Sequence, residues 1–189
     1  MKKQLEDMTL EELWELFPIV LTAHKDCWKD WFKEEKFRLT EVLPMQNIVR
    51  ISHIGSTSVS TIYAKPIVDI LIEIIKDCSM KQTKELIESM GYICMSESSS
   101  RVSLNKGYTI DGFEERVFHL HIRYVGDNDE LFFRDYLIDN PSVAKEYEEL
   151  KLNLWKKYEH NRDAYTDSKS DFIKEITERA KVLYSNRYS

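Results

Sequence analysis

A glycine–serine turn followed by an apolar segment with one aspartate is the part of this sequence best suited to chemistry. Gly55 and Ser56 begin a run of small polar residues. Glycine lets a backbone turn approach a ligand closely, and free backbone N–H groups at a helix start attract phosphate. Asp69 interrupts the apolar run 67–72, where a carboxylate is costly to bury unless it is paired or holds a metal. The pattern predicts a polyphosphate site with a carboxylate-bound Mg²⁺.

Two histidines further along the chain can join this aspartate. Side chains alternate along a strand, so His119 and His121 share one face of the predicted strand 114–124, whose other face is mainly apolar. If that strand lies beside the segment 66–75, we expect Asp69, His119 and His121 to converge as catalytic groups and metal ligands. Such a set suits a transition metal better than Mg²⁺, which prefers oxygen, so Mg²⁺, Mn²⁺ and a transition metal all stay open.

Structural interpretations of the same residues compete with these chemical ones. Asp69 can instead cap a turn or pair with Lys65, and a His-x-His pair on a strand is more often solvated or hydrogen-bonded than metal-bound. Asp69 and Glu73 share a strand face, but their Cα atoms are expected about 13 Å apart, too far to hold one metal together. Leu71 occupies the position between them, where a second ligand would be useful.

Composition limits the classes of protein to consider. The chain has 189 residues, of which 42% are hydrophobic and 32% charged, as in a single globular domain. A net charge of −6 argues against general nucleic-acid binding, which needs a basic face. Three widely spaced cysteines without a CxxC motif indicate reduced thiols in a cytoplasmic protein. Neither a signal peptide nor a membrane-spanning segment is expected, and the oligomeric state is open.

Hydrophobic periodicity and capping signals predict the elements that must position these residues. Thr9 and Glu12 indicate a capping box and a helix to about residue 17, and amphipathic spacing predicts a second helix with a buried aromatic stripe over 25–42. The predicted strands are 49–54, 66–75, 92–96, 101–109 and 114–124, with a helix over 79–90.

The second part of the chain is predicted to be entirely helical. Helices are expected over 129–138, 142–159 and about 167–184, and the Lys/Glu run at 145–157 indicates a solvated helix face. We therefore expect an α/β (α+β) region, residues 1–126, followed by a C-terminal helical extension, residues 127–189, packed on it.

Three segments taken together resemble the GrpB family, which is placed in the nucleotidyltransferase superfamily. They are HIGSTSV at 53–59, AKPIVDIL at 64–71 and FHLHI at 118–122. The segments 133–137, 147–151 and 165–173 resemble the family's C-terminal pattern, and the resemblance covers about residues 15–182. It implies a nucleotidyltransferase-like fold, with a small mixed sheet flanked by helices and a C-terminal helical extension.

The resemblance also assigns roles by position. In the superfamily the Gly-Ser turn holds a triphosphate, and a following strand presents an Asp-x-Asp/Glu pair to Mg²⁺. Gly55 and Ser56 match the turn and Asp69 matches the first carboxylate, whereas Leu71 falls where the second belongs. One of the two histidines stands where a third acid would come from a neighbouring strand.

We therefore expect this site to bind a nucleotide or another phosphorylated small molecule. The candidate nucleotide- or phosphate-binding residues are His53, Gly55, Ser56, Thr57, Lys65 and Arg134. Two functions stay open. One is transfer of a nucleotidyl group from a nucleoside triphosphate to a small-molecule acceptor, with the metal at Asp69 and a histidine as ligand or base. The other is a catalytically reduced binding module that lacks the second carboxylate.

Overall fold

A five-stranded mixed β-sheet forms the centre of this computed structural model, which describes residues 3–188. The strands are β1 (Ile48–Ile54), β2 (Ile67–Ile74), β3 (Ile93–Glu97), β4 (Arg101–Thr109) and β5 (Gly112–Tyr124). Their order is β1-β2-β5-β4-β3. β2 and β5 run parallel, and the other neighbouring strands are antiparallel. The expected mixed sheet and the five predicted strands are confirmed.

Seven α-helices flank this sheet within the described residues. They are α1 (Leu10–Leu16), α2 (Cys27–Val42), α3 (Met80–Glu88), α4 (Asp129–Asp139), α5 (Pro141–Tyr158), α6 (Arg162–Asp167) and α7 (Ser170–Leu183). The predicted capping box at Thr9 and Glu12 is present. Helix α6 was not predicted, because six residues are too few to show a helical period. Within residues 3–188 there is no helix with the length and apolarity needed to cross a membrane.

The main hydrophobic core lies on one face of the sheet, under α2 and α3. Alternate β2 residues, Val68, Ile70, Ile72 and Ile74, are fully buried there with the α2 side chains Trp28 and Leu39. Phe37, expected in the buried aromatic stripe of α2, is instead 63% exposed, because it lies outside the helix face that meets the sheet. Burial of this apolar face turns the other β2 face, which carries Asp69, towards the C-terminal helices.

The C-terminal helices pack against this second face and are tied to it by polar contacts. Glu148 of α5 accepts a hydrogen bond from the Tyr63 backbone N–H, and Lys151 donates to the Tyr63 carbonyl and to Ser56. Glu148 is 7% exposed and Lys151 is 2% exposed. The prediction of a solvated Lys/Glu face on α5 is therefore wrong for these two residues, because they satisfy backbone groups of the segment before β2.

Glu73 shares the β2 face of Asp69 but serves the fold. Its carboxylate is fully buried, lies 3.1 Å from Arg50 Nη1 and accepts a 2.9 Å hydrogen bond from Asn128 Nδ2. These contacts join β1, β2 and the residue preceding α4. A buried charge is tolerated when it is paired in this way.

Candidate functional site

A cavity of about 600 Å³ lies between the sheet and the C-terminal helices. The sheet region and its turns contribute Gly55, Ser56, Thr57, Lys65, Asp69, His119 and His121. The C-terminal helices contribute Tyr147, Lys151, Arg162 and Tyr165, and Lys169 comes from the residues that join α6 to α7. Both parts of the chain are therefore needed to enclose this space, which we call the polar cavity.

Asp69 and the two predicted histidines do converge in the polar cavity. Parallel pairing places Asp69 beside His119 and Leu71 beside His121, so the three polar side chains emerge on one face. Asp69 Oδ1 lies 3.4 Å from His119 Nδ1 and 3.9 Å from His121 Nε2. Burial by itself raises the pKa of Asp69, but the two imidazoles that face the carboxylate outweigh it. The pKa is held well below its usual value, so this carboxylate is ionised at neutral pH.

A hydrogen-bonded chain fixes the His119 ring. Arg162 Nη2 donates to the Tyr108 hydroxyl at 3.1 Å, and that hydroxyl lies 2.7 Å from His119 Nε2. Burial raises the pKa of Tyr108 and lowers the pKa of His119, so the phenol keeps its proton and the imidazole is neutral. Because the Tyr108 oxygen accepts from Arg162, its own hydrogen is available to Nε2. The remaining ring proton then belongs on Nδ1, facing Asp69.

His121 is held from its outer side by a different partner. Its Nδ1 lies 3.1 Å from Ser103 Oγ, which leaves Nε2 directed at Asp69. In each imidazole, the nitrogen remote from Asp69 thus lies beside a hydroxyl, and the other nitrogen faces Asp69 Oδ1. Across residues 3–188, however, no group of three or more His, Cys, Asp or Glu side chains is arranged to hold a metal ion.

The position of a second carboxylate is filled by a buried leucine. Leu71 is fully buried and packs with Ile54 of β1 and Leu131 of α4. A carboxylate at this position would have to displace that apolar contact or be buried within it, at a high cost in free energy. Asp69 is therefore the β2 carboxylate that reaches the polar cavity.

Gly55 makes room for the Asp69 carboxylate. Gly55 has φ of +70°, and a Cβ at this position would lie 2.2 Å from Asp69 Oδ2. The sequence interpretation explained this glycine by the close approach of a ligand to the turn. In the structure, the nearest atom to a Cβ at this position belongs to Asp69. The following residues, Ser56–Ser58, form one turn of 3₁₀ helix. The need for glycine in this turn therefore comes first from the Asp69 side chain beside it.

Three lysines bring positive charge into the polar cavity. Burial and neighbouring cations lower the pKa of Lys65 to about 7 and that of Lys151 to about 7. Burial alone lowers the pKa of Lys169 to about 8. Lys65 and Lys169 lie 5.4 Å and 4.2 Å from the centre of the Tyr165 ring. Within the described chain neither of these two ammonium groups has a hydrogen bond or ion pair, so both remain available to an anion.

His53 and Arg134 are the two predicted phosphate-binding residues that do not line the polar cavity. His53 stacks on Phe32, and its Nε2 lies 2.9 Å from Thr57 Oγ1, which donates to the Ile67 carbonyl. Burial lowers the pKa of His53 to about 4, so the ring is neutral. Arg134 donates to the His53 carbonyl and to the Tyr188 hydroxyl. Both residues therefore support the turn and do not face the polar cavity.

The sequence interpretation missed the cations and the tyrosine supplied from outside β1, β2 and β5. Lys151 lay in a charged run with no feature to mark its burial, and Arg162 lay between two predicted helices. The side chain of Asn161 caps α6 by accepting from the Ala164 backbone N–H, and an asparagine in this position is the signal that could have found the helix. Tyr108 was predicted only as part of a strand.

Comparison with known proteins identifies close relatives of the whole fold. A family model described as "GrpB protein" matches residues 18–179. Glutamate-rich protein GrpB of Alkalihalophilus pseudofirmus is 37% identical over 84% of this chain and 93% of that protein. UPF0157 protein YqkA of Bacillus subtilis is 33% identical over 91% of this chain, which spans 51% of the length of YqkA.

One solved structure agrees with this relationship. The crystal structure of the conserved protein GrpB from Enterococcus faecalis has a TM-score of 0.75 and 32% identity, and the match covers 88% of this chain and all of that one. A structure of Cid1 poly(U) polymerase gives a TM-score of 0.48 at 10% identity over 84% of this chain. The second similarity is too weak to bear on the fold or the function.

Replacing Gly55 by alanine tests the contact between the turn and Asp69. We expect Gly55→Ala to lower the free energy of unfolding by about 2–4 kcal/mol, because backbone strain adds to the clash with the carboxylate. The matched control is Gly91→Ala, where φ is +87° and a Cβ would meet nothing within 4 Å; there we expect about 1–2 kcal/mol from strain alone. Urea unfolding measures both, and equal losses would contradict the proposed steric role.

Proposed function

The chain belongs to the GrpB protein family, and we propose that its polar cavity binds the polyphosphate of a nucleoside triphosphate. The observation that carries this proposal is the set of cations around Asp69. The other two acidic lining residues, Asp129 and Glu130, form ion pairs with Lys181 and Arg123. Lys65, Lys151, Lys169 and Arg162 line the same cavity as Asp69. Two of these lysines, Lys65 and Lys169, contact the Tyr165 ring but have no hydrogen bond or ion pair among residues 3–188. An anion with several charges is the ligand that such a site favours.

The lowered lysine pKa values support the same proposal. A pKa near 7 or 8 means that the fold destabilises these ammonium groups, chiefly by burial. A bound phosphate reverses this effect, since opposite charges 4 Å apart attract by about 4 kcal/mol at an effective dielectric constant of 20. The buried ammonium groups therefore lower the stability of the unbound protein, and an anionic ligand would offset this cost.

Gly55, Ser56 and Lys65 are proposed to lie along the phosphates. Ser56 Oγ already accepts a 3.1 Å hydrogen bond from Lys151, so a phosphate oxygen reaching the turn meets an ammonium group at the same point. Lys65 and Lys169 approach from the Tyr165 side of the cavity. Thr57 Oγ1 is already engaged by the Ile67 carbonyl and His53, so we assign Thr57 to shaping the turn.

A divalent cation is proposed to bind with the nucleotide at Asp69. Mg²⁺ is commonly held by one or two carboxylates together with phosphate oxygens and water, and the ionised Asp69 supplies one carboxylate in a cavity suited to phosphate. Mn²⁺ or another transition metal would add His121 Nε2, which faces the same oxygen. His119 carries its ring proton on Nδ1 and is not expected to bind the metal. When bound, the metal would neutralise phosphate charge. His119 would act mainly by holding Asp69 in place.

Nucleotidyl transfer is the reaction that we propose for this site. The nucleophilic oxygen or nitrogen of a small-molecule acceptor attacks the α-phosphorus, the bond to the β-phosphate oxygen breaks, and pyrophosphate leaves. The acceptor loses one proton in this step. His121 is proposed to take it, because its Nε2 lies 3.9 Å from Asp69, beyond hydrogen-bonding distance, whereas His119 is held at Nε2 by Tyr108. Lys65 and Lys169 stabilise the departing charge.

A binding module without transfer is the second candidate, and a specific observation favours it. Leu71 fills the position of the second carboxylate and is sealed by Ile54 and Leu131. Two-metal catalysis needs ions about 3.5–4 Å apart with ligands for each. With one β2 carboxylate in the cavity, the site would then hold the nucleotide and release it unchanged.

Lysine substitution tests the phosphate site. We expect Lys169→Met and Lys65→Met each to weaken ATP binding by about tenfold or more, because each removes a charge-assisted contact. Lys29→Met on the exposed face of α2 is the control and should leave affinity unchanged. Isothermal titration calorimetry with ATP and Mg²⁺ measures all four proteins. Unchanged affinity in both cavity variants would eliminate the proposed phosphate site.

The affinity for ATP should fall as the pH rises from 7.5 to 9.5. ATP is fully ionised across this range, since the last phosphate pKa is about 6, whereas free Lys65, Lys151 and Lys169 lose protons above pKa values of about 7, 7 and 8. Binding then requires proton uptake, so we expect affinity to fall by at least about tenfold. The same titration on Lys169→Met should show a shallower slope. Affinity that is flat or rises with pH would show that these lysines do not hold the anion.

Asp69→Asn separates transfer from binding alone. This change keeps the side-chain volume but removes the charge that attracts a divalent cation. We expect it to abolish any dependence of ATP affinity on Mg²⁺ or Mn²⁺. If the wild type releases pyrophosphate in the presence of hydroxyl or amine acceptors, the rate should fall at least about a hundredfold in the variant. Metal-dependent binding without pyrophosphate would select the binding module, and metal-dependent binding that persists in Asp69→Asn would remove Asp69 from the metal site.

A further inference from the structure

A second cavity of about 730 Å³ lies beside the polar cavity on the same face of the sheet. We call it the apolar groove; its apolar wall includes Leu10, Leu13, Trp14, Phe17, Ile93 and Met95. Asn105 also lines it and pairs with His119 across β4 and β5, which places both cavities on one sheet face. Arg162 and Thr166 line both cavities, so the two spaces are adjacent.

The apolar groove exposes large hydrophobic side chains to solvent. Leu10, Ile93 and Met95 are 57%, 54% and 61% exposed, although they surround one concave surface. Leu10 lies on α1, and the other two side chains come from the edge strand β3. Contiguous exposed apolar surface of this kind usually marks a binding site, and the volume is in the range of small-molecule sites.

The charge lining the groove is opposite in sign to that of the polar cavity. Glu6, Asp163 and Asp167 line the groove, and none of them has an ion pair with another residue between 3 and 188. Arg162 is the one cationic side chain among the described lining residues, and it donates to the Tyr108 hydroxyl. Three carboxylates beside an apolar wall favour a ligand that carries a positive charge on an apolar body.

We propose that the apolar groove is the subsite for an acceptor with an apolar body and an amine group. The assignment as acceptor rests on the proposed function of the polar cavity. Its physical basis is the position of Arg162, which lines both cavities and begins the hydrogen-bonded chain that leads through Tyr108 and His119 to Asp69. A molecule in the groove that extends past Arg162 would meet the phosphates, while its amine stays among the groove carboxylates.

Three probes of matched shape test the ligand class. They are 3-phenylpropylamine, 3-phenylpropan-1-ol and 3-phenylpropionate, titrated into ¹⁵N-labelled full-length protein, with the Trp14 indole N–H assigned through Trp14→Phe. We expect the Trp14 signal to shift, with the amine binding at least threefold more tightly than the alcohol and the carboxylate binding most weakly. In the double variant Asp163→Asn/Asp167→Asn, the affinities for the amine and the alcohol should differ by no more than about twofold. The affinity for the alcohol itself should change little.

Exposed substitutions separate the groove from a general effect on folding. Ile93→Ser and Met95→Ser change half-exposed positions and should weaken all three probes at least threefold. Val182→Ser on α7, where the side chain is 83% exposed, is the control and should change none. Equal affinity for the three probes, preference for the carboxylate, or shifts that leave Trp14 unmoved would overturn the proposal. A Trp14 signal that moves with protein concentration, together with dimers in sedimentation velocity, would assign the groove to a second copy of the chain instead.

Titration with ATP in the same samples distinguishes the two proposals. Binding of both the amine probe and saturating ATP, without competition, supports an acceptor subsite beside a nucleotide. If the amine binds and ATP does not, the phosphate proposal fails and with it the assignment as acceptor, while the groove remains an amine site. If ATP binds and the amine does not, the groove proposal fails alone. Displacement of the amine by ATP would place the groove within the nucleotide's own site and overturn its role as acceptor subsite.

Discussion

The contact between the Asp69 carboxylate and Gly55 is the constraint on which the rest of the site depends. A carboxylate pointing from the central strand needs space at the neighbouring turn, and the space comes from a residue without a side chain. It also needs compensation for lost water, which the two imidazoles of β5 supply because β5 runs parallel to β2 in the required register. The ionised Asp69 therefore depends on both the Gly55 turn and the pairing of β2 with β5.

The C-terminal helices complete this arrangement with opposite charge. Lys151 is both structural and electrostatic, since it links α5 to Ser56 and Tyr63 while lining the cavity. A lysine whose pKa is lowered by folding binds fewer protons in the native than in the unfolded state between the two pKa values. Its cost to stability is therefore present in full below about pH 7 and disappears as the pH rises towards its unfolded value. Stability given up at neutral pH is regained when an anion binds.

Much of the fold was predictable because its signals are local. The Thr9 capping box and the alternation along β2 and β5 depend on residues a few positions apart, and the corresponding elements formed within a few residues of their expected bounds. The exceptions are also instructive. Helix α6 is too short to show a period, and the exposure of Phe37 and burial of Lys151 depend on which side of a helix meets another element. That choice is made by packing, which no local pattern contains.

The sequence alone determined the candidate acid, the two imidazoles and the Gly-Ser turn, since alternation fixes which side chains share a strand face. It also showed that a leucine replaces the second carboxylate. Only the tertiary structure decided that β2 and β5 are adjacent and in register, that His53 and Arg134 turn away from the cavity, and that Lys151, Arg162 and Lys169 close it. The physical reason is that strand pairing and helix docking join residues about fifty to a hundred positions apart, and those contacts follow from burial of whole faces rather than from neighbouring residues.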